Sequence, residues 1–228
     1  LTSSQDGMSL FTASGDGAIK KWNVAEGKLL GRFDDAHTYH VSAIAISSDG
    51  MTVASGDQDG ALGLWNGDDV GTYLRAISGA MSYAQGANIS ALALSPEGQT
   101  LISGDGDGVI KMWSTADGEL IRSMETAQEN TVRPLAFSPD CTKLVSGDKG
   151  GINTWNAADG ELLHFLRRAH ESDVNSLAFS PNGNFLVSSC EEGIIKVWCC
   201  VSNNELLKID GAQWNPLNSP TFSPNGFL

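Results

Sequence analysis

Ser55, His37 and Asp59 supply the side-chain types of a hydrolase triad, and Ser188, His170 and Glu192 come close to supplying them again. A nucleophilic serine needs an exposed Oγ, an oxyanion hole and usually a strained elbow of the G-x-S-x-G kind. No G-x-S-x-G occurs, and Ser55 falls inside a strand-like run. An active site is built once, so a recurring trio points to structure. The His (37, 40, 164, 170) and Cys (141, 190, 199, 200) make no zinc-ligand spacing. The run SGDGDGVIKMW, 103–113, is richer in oxygen ligands. A calcium loop would need Gly at its sixth position and Glu at its twelfth. Counted from Asp105, those positions hold Ile110 and Ala116. A phosphate cradle opens a helix, whereas this run opens a strand ending in Trp113. Asp and Gly here suit a tight turn, which needs positive φ and local side-chain hydrogen bonds. No catalytic residue, cofactor or metal ligand is expected.

The elements that hold these residues repeat. Trp22, Trp65, Trp113, Trp155 and Trp198 stand 43, 48, 42 and 43 residues apart, a period that signals a repeat architecture. Before each Trp comes a related phrase, such as SSDGMTVASGDQDGALGLW and SPEGQTLISGDGDGVIKMW. Between repeats lie AIAIS, ALALS, PLAFS and SLAFS, at 43–47, 91–95, 134–138 and 176–180. Each copy thus offers four short strands separated by Gly, Asp, Asn and Pro. In the second copy they run roughly over 41–47, 51–55, 61–65 and 72–77. The large-small alternation of Ile44-Ala45-Ile46 and its counterparts suits an innermost strand where radially packed sheets crowd together. Four strands per copy describe a propeller blade.

Over essentially its whole length the sequence resembles the WD-repeat β-propeller family. The S-P-D-G turn, the second strand ending S-G, the Asp-containing turn and the closing Trp carry the likeness. The Asp of the family's Trp-Asp is absent: Trp22-Asn23, Trp65-Asn66, Trp113-Ser114, Trp155-Asn156 and Trp198-Cys199 stand there. Gly-His survives as Ala36-His37 and Ala169-His170. The resemblance implies an all-β fold of four-stranded antiparallel blades. The expected blades are 1–35, 36–79, 80–126, 127–168 and 169–210, with 211–228 starting another. Both chain ends align with the same part of the repeat, so the expectation is an excerpt of about five blades from a seven-bladed ring.

The resemblance also implies a hydrogen-bonded tetrad of His, Ser or Thr, Asp and Trp in each blade. The chemistry is coherent, because Trp only donates, a hydroxyl donates and accepts, and His links hydroxyl to carboxylate. The resemblance, with Ser55 and Asp59 ten and six residues before Trp65, assigns His37, Ser55, Asp59 and Trp65 to the second blade. It assigns Ser103, Asp107 and Trp113 to the third, with Gln85 in place of His. The fifth takes His170, Ser188, Glu192 and Trp198, and the first takes Thr12, Asp16 and Trp22. In the fourth a shortened turn puts Ser146 and Asp148 out of register, so that blade is expected to be the least regular.

Function follows from charge and surface. The 228 residues carry 27 acidic and 14 basic side chains, a formal net charge of -13, with 41% hydrophobic residues. Such a field repels nucleic acid and anionic membrane. No apolar run reaches the roughly 18 residues that a membrane span needs. Cysteines without C-x-x-C spacing favour a reducing, cytoplasmic compartment. The expected partners are other proteins or peptides, and the expected role is a non-enzymatic scaffold in a larger assembly. The alternative is a reader of a short, modified peptide in a central channel. In the resembled family, partners meet residues flanking the opening of each innermost strand and residues at the turn. Carried over, the flanking set is His40, Ser42, Asn88, Ser90, Thr131, Arg133, Asp173 and Asn175, and the turn set is Gln58, Gly106, Asp148 and Glu191. Met81 and Tyr83 in a long loop, and Trp214 outside the Trp register, add anchors of the interface type.

Overall fold

The computed structural model describes residues 1–4, 6–33, 36–69, 72–77, 88–125, 130–211, 220–223 and 226. The chain divides into two compact units, Leu1–Met124 and Glu125–Leu228.

The first unit carries three antiparallel sheets. One contains β1 (Thr2–Ser3), β2 (Ser9–Ala13), β3 (Ile19–Asn23) and β4 (Lys28–Phe33) in that order. The next contains β5 (Val41–Ile46), β6 (Thr52–Asp57), β7 (Leu62–Asn66) and β8 (Tyr73–Ala76). The third contains β9 (Ile89–Leu94), β10 (Thr100–Asp105), β11 (Val109–Ser114) and β12 (Leu120–Glu125), whose last residue crosses the division. In the second unit one sheet contains β13 (Leu135–Phe137), β14 (Lys143–Gly147), β15 (Ile152–Asn156) and β16 (Leu162–Leu166). The other contains β17 (Val174–Phe179), β18 (Phe185–Cys190), β19 (Ile194–Cys199) and β20 (Glu205–Asp210). Each sheet keeps sequence order, as connection by short turns demands. Pro220–Ser223 form no strand. No helix among the described residues is long and apolar enough to cross a membrane.

Cores form where one sheet meets the next within a unit. Phe11, Ile19 and Phe33 of the first sheet pack with Val53 and Trp65 of the second. Ala54, Leu62 and Ile77 of the second pack with Ile89, Leu101 and Trp113 of the third. In the second unit Val145 and Ile152 pack with Val174, Leu177 and Trp198. Period-two alternation turns one set of strand residues toward the preceding sheet and the other toward the following one. The small Ala45, Ala54, Ala91 and Ala93 are buried in the first unit, where inner strands approach closely.

Backbone staples join neighbouring sheets. The amide of His37 donates to Gly17 O at 3.2 Å, and that of His170 to Gly150 O at 3.0 Å. Gly150 has φ +78, and a Cβ on it would lie 2.6 Å from His170 O. Both the left-handed backbone and the close approach require glycine there.

Candidate functional site

Each buried tryptophan is tied to the second strand of its own sheet. Trp65 Nε1 donates to Ser55 Oγ at 2.8 Å, Trp113 to Ser103 at 2.9 Å and Trp198 to Ser188 at 2.8 Å. Half-buried Trp22 donates to Thr12 Oγ1 at 2.9 Å. Ser55 Oγ also lies 2.6 Å from His37 Nε2, and His37 Nδ1 lies 3.0 Å from Asp57 Oδ2. Burial holds His37 below the ordinary imidazole range, although the hydrogen bond and charge of Asp57 pull upward. Ser55 is completely buried, with no exposed Oγ to offer a substrate.

The carboxylate of this network is therefore Asp57, not Asp59. Strand periodicity supplies the reason: Val53 pairs with Trp65, and residues 53, 55 and 57 share one face. Asp59 has already left the strand and is exposed. The same correction holds in the third sheet, where Asp105 is buried and Asp107 is exposed. Asp57 Oδ1 caps its turn by accepting from the amides of Asp59 and Ala61, at 3.0 and 2.9 Å. Asp105 Oδ1 does the same for Asp107 and Val109, at 3.0 and 2.9 Å. Burial raises the Asp105 carboxyl, against those two hydrogen bonds. In the first sheet Ser14 holds the equivalent position. Asp16 is exposed there, accepting from Ser14 Oγ at 2.5 Å and the Ala18 amide at 3.2 Å. Gln85 lies outside the described residues.

The fourth sheet absorbs its shortened turn without losing the bond. Trp155 Nε1 donates to Ser146 Oγ at 3.0 Å, so Ser146 is in place. Gly147 pairs with Ile152, and the deletion falls wholly in the turn between them. Asp148 is buried, accepting from the Gly151 amide at 3.1 Å and Asn153 Nδ2 at 3.3 Å. Burial raises its carboxyl, and the charge of Asp173 adds to that. The irregularity is elsewhere: β13 has three residues where β17 has six. Pro134 precedes β13 and has no N–H to give a ladder.

In the fifth sheet His170 Nε2 lies 2.7 Å from Ser188 Oγ, but Nδ1 has no partner. Glu192 takes no part in the network: it is exposed, and its amide donates to Ser172 Oγ at 3.3 Å. Cys190 stands where Asp57 stands, because Val174 pairs with Cys190 as Val41 pairs with Asp57. Burial, with Lys196 and Lys208 nearby, pulls the His170 pKa down to about 4.

A second recurring device closes the turn between first and second strands. Ser4, Ser47 and Ser138 donate to Asp6, Asp49 and Asp140 at 2.5, 2.6 and 2.6 Å. The same hydroxyls accept the amides of Ser9, Thr52 and Lys143, at 3.0, 3.0 and 2.9 Å. These serine bonds hold the three carboxyls below their usual range. The Ser-x-Asp spacing in SQDG, SSDG and SPDC carried that signal.

The surface positions read from the sequence come together in pairs. In the first unit the Gln58 amide donates to His40 O and the Gly106 amide to Asn88 O, both at 3.1 Å. His40, Gln58 and Asn88 are exposed. Ser42 Oγ donates to Gly56 O at 3.2 Å and to Ile89 O, and Ser90 Oγ donates to Gly104 O at 3.2 Å. The hydroxyls of Ser42 and Ser90 thus hold strands together. In the second unit the Glu191 amide donates to Asp173 O at 3.1 Å. Arg133 reaches across to the next sheet, with Nη1 2.6 Å from Glu191 Oε1 and 3.4 Å from Asn175 Oδ1, and Nη2 3.1 Å from Asp173 Oδ2. Thr131 is half-buried. Asp148 is a buried turn cap, not a contact group, since its shortened turn tucks the side chain inward. Met81, Tyr83 and Trp214 lie outside the described residues.

Four-stranded antiparallel blades, each with a Trp bonded to a second-strand hydroxyl, are the blades of a β-propeller-type repeat protein. Matches to the family model "WD domain, G-beta repeat" cover residues 27–66, 75–114 and 160–199, more than half of the chain. The chain belongs to the WD40 family. A search of curated proteins finds no match. Among solved structures, a chain of the "Crystal Structure of Mitotic Checkpoint Complex" is similar, with TM-score 0.85 and 21% identity. That likeness covers 99% of this chain and 68% of the other, and it shows the fold.

Proposed function

We propose that this chain is a non-enzymatic interaction module of a multiprotein assembly, and that partners dock on the surface carrying the inner-strand openings and turns. One observation carries the reading: Arg133 is held by Asp173, Asn175 and Glu191 while its side chain stays 42% exposed. Such a group is pre-organised, so binding it costs little side-chain entropy. Two carboxylates face one guanidinium there, and the whole chain carries a formal charge of -13. The complementary partner is a segment with basic side chains, which takes the carboxylate oxygens that Arg133 leaves free. The place of the similar chain in a mitotic checkpoint complex supports an assembly role.

Cross-linking with mass spectrometry identifies the partner, and titration against Arg133→Glu and Glu191→Lys tests the surface. Glu191→Lys, which puts a positive charge against a basic segment, weakens binding by more than about 1 kcal/mol, roughly fivefold or more, whereas Arg133→Glu, which adds a carboxylate, does not, and far-ultraviolet circular dichroism is unchanged in both. Undiminished binding by Glu191→Lys, with loss on substituting exposed Leu162 and Leu163 of β16 instead, would overturn the assignment.

A further inference from the structure

The fifth sheet holds a network built for an anion that its sequence does not supply. His170 is 3% exposed, and its Nδ1 has no hydrogen-bond partner. Its ring is anchored as His37 is, with Nε2 2.7 Å from Ser188 Oγ against 2.6 Å from Ser55 Oγ. Anchoring Nε2 aims Nδ1 at the register position from which Asp57 reaches His37 at 3.0 Å. That position is Cys190, a completely buried free thiol. A thiol is a weak acceptor beside a carboxylate. The turn shows the same shortfall. Asp57 caps two turn amides at 3.0 and 2.9 Å, whereas the equivalent amide of Glu192 turns away to Ser172 Oγ at 3.3 Å. The charges acting on His170 are Lys196 and Lys208, opposed by Glu205. The second sheet shows that the fold accommodates a buried acidic side chain at this register, since the Asp57 side chain is 2% exposed.

We propose that Cys190 is an oxidation site whose sulfinate takes the carboxylate's place and completes the network of the fifth sheet. Hydrogen peroxide is the oxidant. In the first step the Cys190 thiol gives up its proton, the thiolate sulfur attacks one peroxide oxygen, the O–O bond breaks, and sulfenic acid forms while the departing hydroxide takes up the proton as water. A second peroxide oxidises sulfenic to sulfinic acid with release of another water, each step moving two electrons from sulfur to peroxide. The sulfinic acid loses its proton and presents two oxygens, much as a carboxylate does. One accepts His170 Nδ1–H, and the other faces the turn amides. The donor chain Trp198 to Ser188 to His170 then ends on an anion, as the chain Trp65 to Ser55 to His37 ends on Asp57. Because Cys190 is completely buried, oxidation proceeds through opening of this turn and then disfavours further opening.

The test uses the whole chain with Cys141, Cys199 and Cys200 replaced by Ser, treated with hydrogen peroxide. Mass spectrometry of the Cys190 peptide is expected to show two added oxygens. The amides of Glu192 and Ile194 are then expected to exchange with deuterium at least tenfold more slowly. Cys190→Asp reproduces that slowing without peroxide, and Cys190→Ser does not. The proposal is overturned if the Cys190 peptide gains no oxygen, if oxidation speeds exchange, or if Cys190→Asp is less protected than Cys190→Ser.

Discussion

Acidification should destabilise the second unit through one histidine. His170 titrates at about 4 in the folded chain, against an ordinary value of 6.5. The imidazole is buried, Lys196 and Lys208 disfavour a second positive charge, and Nδ1 has no acceptor to welcome a proton. A base depressed on folding is neutral in both states well above pH 6.5, and costs nothing there. As pH falls below 6.5 the unfolded chain binds a proton that the folded chain refuses, so stability is lost between about pH 6.5 and 4. A gap of about 2.5 pH units at about 1.4 kcal/mol each comes to about 3.5 kcal/mol, of which about 3 is realised by pH 4. The assay is chemical denaturation of wild type and His170→Gln from pH 7.5 to 4, followed by blade-five amide exchange. Gln can accept from Ser188 Oγ yet does not titrate, so subtracting the variant removes the contribution of the carboxylates. The stability difference between the two proteins should move by about 3 kcal/mol in favour of the variant as pH falls. A difference flat across that range, or a His170 proton resonance titrating near 6.5, would refute the reasoning.

Three further outcomes are expected. Ser55→Ala leaves the buried Trp65 Nε1 and His37 Nε2 without partners and should cost about 2–4 kcal/mol in urea denaturation of the first unit, whereas Thr12→Ala, which frees one half-buried donor, should cost about 1. Gly150→Ala places a Cβ 2.6 Å from His170 O on a backbone with φ +78, and should cost about 2–4 kcal/mol. Gly183→Ala, with φ +70 but its nearest neighbour at 3.6 Å, should cost only about 1 kcal/mol by thermal melting. Asp148→Asn should stabilise the second unit by about 1 kcal/mol at pH 7, because it removes a buried charge facing Asp173. That gain should vanish below about pH 4, where the wild-type carboxyl is itself neutral, and melting curves at the two pH values check it.

The strands were legible because each is written several times. One copy of the phrase that ends in Trp is ambiguous between helix, loop and strand, but five copies at a near-constant period fix the four-strand unit. Tryptophan made the second-strand hydroxyl legible too, because an indole N–H donates and a buried donor needs an acceptor within reach. The acid was misplaced by two residues because counting from Trp treats the turn as rigid. Had period two been followed from Ser55 along its own strand, Asp57 would have been found, and likewise Asp105 from Ser103. The fourth sheet makes the same point in reverse: its turn lost a residue while Ser146 and Trp155 kept their bond.

What the sequence left hidden is the consequence of a substitution at a repeated position. Cys190 reads as an ordinary small buried residue until Val174 is seen opposite it, and only then does it stand in the slot of Asp57 and Asp105. The two sheets have the same register at this position and the same Ser, His and Trp, and the side chain opposite Val41 or Val174 separates a closed network from an open one. A closed network holds His37 between two partners; an open one leaves His170 with one, beside a turn amide that looks elsewhere. Repetition therefore does two things in this chain. It makes the fold readable, and it provides an internal reference against which each departure, Cys190 for Asp or Arg133 bridging to the next blade, acquires a definite physical meaning.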